Sequence, residues 1–359
     1  MADRFEILIK QNRSFVIYRA PKQEPILLIQ SSDNLLRLGN LEELSGCTGF
    51  VFAPFRITDS SPLILMNPDV VIKGWEGIAT YLSEQEISLV TNSLDAACSA
   101  SNHYDTYEKA FSSFINSLRD NQFEKLVLSR TAVYPKDTTF SAEQAFYNAC
   151  DKYEDAFVYL FHSTETGTWL GSTPEILLSG EAGLWKTVAL AGTLPYQQAI
   201  LPDAWNEKNS REQQLVADYV RKQLTAFGAE PTETEPFTVR AGELAHLKSE
   251  FAFPLSQCDR LGNLLELLHP TPAVCGLPKE EAYRFILANE GYDRRYYSGF
   301  VGWLHPQGAT DLYVNLRCME IEERCLTLYA GGGLLSRSEL DSEWNETEDK
   351  LQTMLAIIK

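Results

Sequence analysis

The sequence predicts an α+β fold in which helices lie outside antiparallel sheets. Segments typical of strands come in neighbouring groups instead of alternating strictly with helices, and this grouping favours antiparallel sheets. The glycine patterns of dinucleotide and nucleotide-phosphate loops, G-x-G-x-x-G and G-x-x-x-x-G-K-[ST], do not occur in the 359 residues. A hydrophobic content of 44% is ample for a substantial core.

Apolar or alternating runs predict the strands, and amphipathic runs predict the helices. In chain order the strand segments are ILLIQ, KLVLSRTAVY, AFVYLF, EILLSG, KTVALAGTL, DLYVNLRCMEI and CLTLYAGGGLL. The helical segments are SFINSLRDNQ, SAEQAFYNACDKY, SREQQLVADYVRKQLTAFG, KEEAYRFILANE and SEWNETEDKLQTMLAIIK. No low-complexity linker or fixed repeat separates them, so one extended domain is the simplest organisation.

The charge of the chain argues against two classes of partner. The 31 lysines and arginines stand against 49 aspartates and glutamates, for a net charge of -18, which repels nucleic acid and anionic membrane surfaces. A polyanionic ligand would need a local basic pocket. The sequence has no apolar run of the roughly 18 to 20 residues that a membrane span needs, and its start lacks the features of a secretory signal. We therefore expect a cytoplasmic protein.

The cysteines do not suggest a covalent framework or a zinc cluster. Seven are scattered along the chain without any C-x-x-C pair, and an odd number argues against complete pairing. We expect all seven to be buried thiols. They are Cys47, Cys98, Cys150, Cys258, Cys275, Cys318 and Cys325.

The C-terminal helix carries paired carboxylates. Ser342 is a plausible N-cap, and a buried stripe is expected from apolar residues at i, i+3, i+4 and i+7. That stripe consists of Leu351, Met354, Leu355 and Ile358. Glu343, Glu346 and Lys350 then lie along one side of the helix. They form either an exposed charged face or part of a site for a divalent cation.

Three consecutive glycines precede this helix, at Gly331–Gly333, where an apolar strand ends. Glycine lets a ligand approach the backbone, and a glycine turn can direct several N–H groups at a carboxylate. Amide donors followed by paired carboxylates fit a substrate carboxylate bridged to the protein by a cation. Hard oxygen ligands suit magnesium.

A second helix places a carboxylate on its apolar side. Val216, Val220 and Leu224 form an i, i+4, i+8 stripe, and Glu212 lies one turn upstream on the same side. Glu212 is either a third carboxylate beside a cation, which would compensate its buried charge, or an exposed first-turn residue favoured by the helix dipole.

Three further charged residues are candidates for chemistry. Lys125 opens the strand KLVLSR and is either a solvated strand end or a base in a dry pocket. Glu175 follows a Gly-Ser-Thr-Pro turn; it is either a strand-start residue or a general acid whose pKa rises near other carboxylates. Arg317 falls on the polar side of DLYVNLRCMEI, where it would hold a carboxylate or form a surface ion pair.

Nine segments in order resemble the motifs of the chorismate-utilising enzymes. They are KLVLSR, GSTPE, ALAGTLP, EKNSREQQLV, HPTPAVCGLP, YYSGFVGW, LYVNLRCMEI, LYAGGGLL and EWNETEDK. The motif-bearing part is residues 101–359, and residues 1–100 are less diagnostic. The resemblance implies a single domain over residues 1–359, built from two large antiparallel sheets with helices outside. It also implies a magnesium-dependent site for chorismate in a deep cleft.

Members of that family differ in the nucleophile that attacks the ring, and this sequence resembles those that use water. Lys125 matches the lysine that activates water in isochorismate and salicylate synthases. Ala191 stands where aminodeoxychorismate synthases that form a covalent intermediate have a lysine. Ala273 resembles isochorismate synthases, whereas salicylate synthases tend to have threonine there. The resemblance thus implies an isochorismate synthase, expected as a monomer without an amidotransferase subunit.

The resemblance also assigns roles at the site. Glu212 and Glu343 would ligate Mg²⁺, and Glu346 would do so directly or through water. Lys125 would deprotonate a water that attacks ring carbon 2, while Glu175 protonates the hydroxyl leaving carbon 4. The residues expected to bind chorismate are Ala191, Gly192, Thr193, His246, Ala273, Tyr297, Arg317, Gly331, Gly332, Gly333 and Lys350. For His246, a satisfied core histidine is the alternative.

Several alternatives stay open at this point. A salicylate synthase or an isochorismate pyruvate-lyase would release pyruvate, and a non-catalytic sensor would only bind a chorismate-like anion. Asn209 stands where several relatives have an acidic residue and resembles some menaquinone-pathway isochorismate synthases. It therefore favours the menaquinone pathway over a siderophore pathway, in which the same reaction occurs.

Overall fold

The computed structural model describes residues 4–31, 35–85, 98–181, 183–195, 205–241, 244–255 and 260–358. The α-helices of these residues are α1 (Arg4–Lys10), α2 (Trp75–Ser83), α3 (Tyr104–Arg119), α4 (Ala142–Lys152), α5 (Glu207–Phe227), α6 (Leu261–Leu268), α7 (Lys279–Asn289) and α8 (Leu340–Leu355). A short 3₁₀ helix spans Leu41–Leu44.

Strands make up most of the remaining regular structure. The strands before α5 are β1 (Ser14–Arg19), β2 (Ile26–Gln30), β3 (Leu36–Leu38), β4 (Gly49–Ala53), β5 (Leu63–Met66), β6 (Val70–Lys73), β7 (Lys125–Pro135), β8 (Phe157–Ser163), β9 (Gly167–Thr173), β10 (Ile176–Glu181) and β11 (Leu184–Pro195). Those after α5 are β12 (Thr232–Glu233), β13 (Phe237–Ala241), β14 (Leu244–Pro254), β15 (Gly276–Leu277), β16 (Phe300–Leu304), β17 (Thr310–Val314), β18 (Cys318–Ile321) and β19 (Cys325–Leu334).

These strands form two large antiparallel sheets, as predicted. Within the described residues, one sheet has nine strands in the order β15, β7, β19, β18, β9, β8, β1, β2, β6. The other has ten in the order β12, β14, β11, β10, β17, β16, β4, β5, β3, and β13 also pairs with β14. Strands β1 to β6 therefore contribute three members to each sheet.

The two sheets pack face to face through an aromatic layer. Phe52 of β4 stacks on Phe161 of β8 with ring centroids 4.5 Å apart, and Phe157 of β8 stacks on Tyr313 of β17 at the same separation. Helices α1, α2, α4 and α8 cover the outer face of the nine-stranded sheet, while α5 and α6 cover that of the ten-stranded sheet. Helices α3 and α7 pack on Leu126 and Leu128 of β7. The predicted placement of helices outside the sheets is confirmed.

The sequence predicted that DLYVNLRCMEI forms a single strand, and this prediction was wrong. The segment divides into β17 in the ten-stranded sheet and β18 in the nine-stranded sheet. Asn315 lies fully buried in the crossing, accepts a hydrogen bond from Tyr159 at 2.7 Å and donates one to the carbonyl of Tyr296 at 2.8 Å. Regular alternation of side chains between the two faces ends with β17 at Val314, and Arg317 after it has a φ of +46°. The alternating sequence pattern alone does not show that the chain passes from one sheet to the other here.

Two smaller predictions were wrong. Ser342 is not the N-cap of α8, because the helix begins at Leu340 after Glu339 and Ser342 lies in its first turn. Cys98 and Cys325 form a disulfide and are therefore not thiols. The sequence did not indicate this pair, because the two residues are 227 positions apart and only the fold brings them together. The predicted free thiols Cys150, Cys275 and Cys318 are buried and Cys47 is half-buried. Cys258 lies outside the described residues.

No helix in the described part of the chain is both long enough and apolar enough to cross a membrane.

Candidate active site

The predicted site residues come together in one cleft. It is bounded by β7, β11, β14, β19, α5, α8 and the crossing between β17 and β18. The predicted residues that line it are Glu175, Ala191, Gly192, Thr193, Glu212, His246, Ala273, Tyr297, Arg317, Gly331, Gly332, Gly333, Glu346 and Lys350. Lys125 and Glu343 lie directly beside this lining. The open cavity is about 70 Å³, smaller than typical small-molecule sites.

Helix α5 carries Glu212 into the cleft. Asn206 caps the helix by accepting the backbone N–H of Asn209 at 2.8 Å. The apolar stripe packs against the ten-stranded sheet as predicted, and Glu212 on the same side is 8% exposed. The alternative of an exposed first-turn glutamate is therefore wrong.

Lys125 is fully buried at the start of β7. Its ammonium lies 3.0 Å from Oε1 of Glu212, and the side chains approach each other across Gly333 of β19. A Cβ built on Gly333 would lie 2.0 Å from the same Glu212 oxygen and 3.0 Å from Cε of Lys125. The alternative that Lys125 is a solvated strand end is therefore wrong. Because Gly333 has no side chain, there is room for the pair of Lys125 and Glu212.

Helix α8 presents its carboxylates to the cleft and not to solvent. Glu343 is 1% exposed and pairs through Oε1 with Lys208 of α5, whereas its Oε2 has no hydrogen-bond partner. Burial and the neighbouring Glu346 raise the pKa of Glu343. Glu346 pairs with Lys350 at 2.7 Å; burial opposes ionisation of Glu346, but Lys350 holds its pKa below the usual value. The exposed charged face considered for this helix is wrong.

The glycine segment lies in a strand, as the run CLTLYAGGGLL predicted, and does not form the turn that was considered as a source of amide donors. Gly331–Gly333 continue β19 opposite residues 127–129 of β7. The N–H groups of Val127 and Ser129 donate away from β19, to the carbonyl of Cys275 and to Glu290. Since antiparallel pairs alternate between bonded and non-bonded positions, the N–H groups of Gly331 and Gly333 face away from β7. The N–H groups of Gly331 and Gly333 can therefore donate to a ligand from this strand, although no turn is formed.

Glu175 is a buried carboxyl directly before β10, 3% exposed. Burial raises its pKa to about 7, although the positive charges of Lys125, Lys350 and Arg317 act in the opposite direction. The expected rise in pKa is therefore present, but its cause is loss of hydration and not neighbouring carboxylates. A carboxyl with such a pKa holds a proton near neutral pH and can donate it.

Arg317 and His246 form a fixed pair in the cleft. Burial, reinforced by Arg317 and Lys350, lowers the pKa of His246 to about 3, so the ring is neutral. Nδ1 of His246 lies 2.9 Å from the carbonyl of Gly192 and must donate to it, which leaves Nε2 to accept from Arg317 at 3.3 Å. Arg317 also donates to Thr353 at 3.1 Å. His246 is thus buried and hydrogen-bonded, and it lines the cleft as well.

A bulge in β11 shapes the wall opposite α8. The pairing of β11 with β14 shifts between Ala191 and Thr193, and Gly192 at the shift has a φ of +75°, which favours glycine. A Cβ there would lie 3.1 Å from Cβ of Asn209 on α5. The close approach of α5 to this bulge places Asn209 behind the wall, where its side chain is buried.

Comparison with known proteins identifies the family of this chain. A family model described as chorismate binding enzyme matches residues 67–359. The chain belongs to this family.

Relatives in the family are named as isochorismate synthases. The chain is 31% identical to isochorismate synthase DhbC of Bacillus subtilis, over 70% of this chain and 67% of that protein. It is 33% identical to the salicylate biosynthesis isochorismate synthase of Pseudomonas aeruginosa, over 69% and 53%, and 30% identical to isochorismate synthase MenF of Escherichia coli, over 67% and 57%. The matched region therefore spans only about half to two thirds of these relatives.

Solved structures support the fold. The structure of MenF from Escherichia coli matches with a TM-score of 0.81 at 19% identity, over 100% of this chain and 91% of that chain. Anthranilate synthase component I from Streptococcus pneumoniae matches with a TM-score of 0.68 at 18% identity, over 95% and 92%. At these identities the likeness establishes the shared architecture.

Sequence reasoning missed two features of this cleft. Lys208 pairs with Glu343, and its signal was available, because it lies four residues before Glu212 and thus on the same side of α5. Behind β7, the buried pair of Glu290 and Arg294 holds the backbone of the wall: Arg294 donates to the carbonyl of Val127 at 2.9 Å. Nothing in the local sequence distinguishes this pair from a surface i,i+4 pair.

The three carboxylates predicted to hold the cation also fit one chemically. In the described residues no three acidic, histidine or cysteine side chains already surround one point, since each predicted ligand is paired with a lysine. The donors are nevertheless all carboxylate oxygens, which magnesium prefers. Oε2 of Glu343, which has no hydrogen-bond partner, and Oε1 of Glu346, which accepts from Lys350, both face Gly332. They would lie 3.5 and 3.3 Å from a Cβ built there. This pair of oxygens offers a start for a coordination shell.

Proposed function

We propose that the protein is an isochorismate synthase that converts chorismate to isochorismate reversibly and requires Mg²⁺. One observation carries the proposal: a buried carboxyl with a pKa of about 7 lines the cleft, and a fully buried lysine lies directly beside that lining, close enough for its charge to act on the carboxyl. Lys125 at the start of β7 would be the base, and Glu175 directly before β10 would be the acid. Pure binding of an anion needs neither group, which disfavours a sensor.

Lys125 would take a proton from the water that attacks ring carbon 2. A lysine acts as a base only as the free amine, whereas here its ammonium pairs with Glu212. If Glu212 instead ligates a cation, it no longer stabilises the charged lysine. The pairing therefore links the base to occupation of the metal site.

Glu175 would give its proton to the hydroxyl that leaves ring carbon 4. Migration of the ring double bond would couple this departure to the attack of water at carbon 2. Burial keeps the Glu175 carboxyl protonated up to about neutral pH. Water attack at one carbon and protonation of the leaving hydroxyl at the other then require two separate groups, which Lys125 at the start of β7 and Glu175 just before β10 would provide.

Chorismate is a dianion, and the cleft provides cationic and amide groups for its carboxylates. Arg317 is oriented by His246 and Thr353, and the N–H groups of Gly331 and Gly333 face away from β7. Mg²⁺ would be held by Glu212, Glu343 and Glu346, the last directly or through water, and would supply positive charge beside the ring carboxylate. A protein with a net charge of -18 needs this local compensation.

The direct test is product analysis. We expect the purified protein to bring chorismate to a mixture with isochorismate when Mg²⁺ is added, and EDTA to abolish the reaction. Products would be resolved by HPLC, and pyruvate would be assayed separately. Pyruvate released together with salicylate would replace the proposal with a lyase-competent synthase, and binding without turnover would favour the sensor.

The pH dependence of the forward reaction gives a second test. A general acid with a pKa of about 7 is protonated below that pH and loses its proton above it. The rate from chorismate should therefore fall as the pH rises through about 7. In Glu175→Gln the residual rate should lack this alkaline limb, as measured by rate profiles at saturating chorismate. A residual rate that keeps the wild-type limb would assign the titration to another group.

We propose menaquinone biosynthesis as the pathway, following the resemblance at Asn209. Identity to these relatives does not decide the pathway, since the values are nearly equal, at 31% for DhbC and 30% for MenF of Escherichia coli. Complementation of two bacterial strains that lack isochorismate synthase, one deficient in menaquinone and the other in a siderophore, would decide. Rescue restricted to the siderophore-deficient strain would overturn the assignment.

A further inference from the structure

We propose that Lys208 is an internal counter-cation of the metal site. It pairs with Glu343 while the divalent cation is absent, and it leaves this carboxylate when the cation binds. The inference rests on the proposed function, because it concerns the magnesium site of that reaction.

The three lysines paired with the predicted ligands are held differently. The Lys125 side chain is wholly buried, and Lys350 is also bonded to the carbonyl of Gly331 at 2.8 Å. The Lys208 side chain is 31% exposed, although its partner Glu343 is 1% exposed. Lys208 can therefore withdraw its ammonium into water with the least disturbance of the cleft.

Electrostatics makes the lysine and the cation competitors. Lys208 interacts with Glu343 most strongly, and its charge also acts on Glu346 and Glu212. A divalent cation bound to the same three carboxylates would repel an ammonium in this position, and the repulsion is largest where water is scarce. Before the cation arrives, Lys208 compensates a buried carboxylate whose second oxygen has no partner, and such a charge is costly without compensation.

Two consequences follow for the wild-type protein. Cation affinity is reduced by the free energy needed to break the pair between Lys208 and Glu343, since binding must pay that cost first. In return, the Lys208 ammonium compensates the buried Glu343 carboxylate in the cation-free protein. Removal of Lys208 should therefore strengthen cation binding and weaken the cation-free fold.

The test measures Mn²⁺ binding by titration calorimetry and by the electron paramagnetic resonance signal of free Mn²⁺, on the full chain without substrate. We expect Lys208→Met to bind Mn²⁺ about tenfold more tightly than the wild type, as for loss of a partly buried competing pair. In EDTA its melting temperature should be lower, and Mn²⁺ should raise it by more than in the wild type. Lys222→Met, at an exposed position on the same helix, is the matched control and should bind as the wild type does.

The outcomes separate the two proposals. Equal or weaker Mn²⁺ binding by Lys208→Met, with normal binding by the wild type and Lys222→Met, would overturn the competition and leave the proposed function intact. Absence of Mn²⁺ binding from every variant, wild type included, would overturn the metal site itself and this inference with it. If Lys208→Met does not fold, Lys208→Gln keeps a polar head without the charge, and it is expected to show the same gain in affinity.

Discussion

Replacement of Lys125 by methionine is expected to lower the rate of isochorismate formation by about a thousandfold, within the range for loss of a general base. Chorismate binding should change much less, because the cationic groups proposed for its carboxylates lie on other elements. Methionine matches the length of the lysine stem and fills the same buried space beside Gly333. Steady-state rates at saturating chorismate, with binding measured by calorimetry, would separate the two effects.

Stability needs a control in this experiment. Lys125→Met leaves Glu212 without its ammonium in the cation-free protein, and breaking a buried pair on one side costs about 3–5 kcal/mol. Urea unfolding with and without Mg²⁺ would measure that cost. Folded Lys125→Met protein that retains turnover within tenfold of the wild type would show that another group activates water.

Gly333→Ala is expected to reduce turnover by at least a hundredfold, although the substitution adds one methyl group. The new Cβ would lie 2.0 Å from Oε1 of Glu212 and 3.0 Å from Cε of Lys125. Both side chains must then move, and catalytic groups displaced by an ångström lose much of their effect. The backbone itself can accept alanine, because Gly333 continues an extended strand.

Gly332→Ala is the matched control for this substitution. At that position the nearest atoms would be 3.3 Å and 3.5 Å away, so the neighbouring carboxylates need to yield only a few tenths of an ångström. We expect at most a tenfold loss of turnover from Gly332→Ala. Equal losses in the two variants, with equal stability in urea, would mean that the strand tolerates no side chain here and would remove the special role of Gly333.

The fold class was predictable because its signals are local. The stripe Val216, Val220 and Leu224 located the buried side of α5, and the same reasoning placed Glu212 correctly. Strands buried on both faces were predicted unevenly: β8 and β4 are both buried at every position and show no alternation of burial, but AFVYLF in β8 was predicted and GFVFA in β4 was not. Whether such a short apolar run forms a strand or a helix depends on what packs on it.

The site was less predictable where it depends on contacts between distant segments. The residue types of Lys125 and Glu343 suggested catalytic or metal-binding roles. Their partners, Glu212 and Lys208, could not be predicted, because they depend on how β7, α5 and α8 pack together. Arg317 reaches the cleft because the chain changes sheets at that point, and the pairing of Cys98 with Cys325 depends on the same tertiary arrangement. Periodicity reports which side of an element is buried, and it carries no information about which element covers that side.

Strands β1 to β6 have a consequence for how this protein can diverge. They supply three strands to each sheet, yet the cleft-lining residues in the described part of the chain come from Val127 onward, with Lys125 directly beside them. Selection on the first part of the chain thus acts through burial and pairing, which many apolar sequences satisfy. Selection on the later part acts through individual atoms at fixed positions. Substitutions should therefore accumulate faster before residue 100 than after it, so that the first part loses recognisable motifs while its strands keep their places in the sheets.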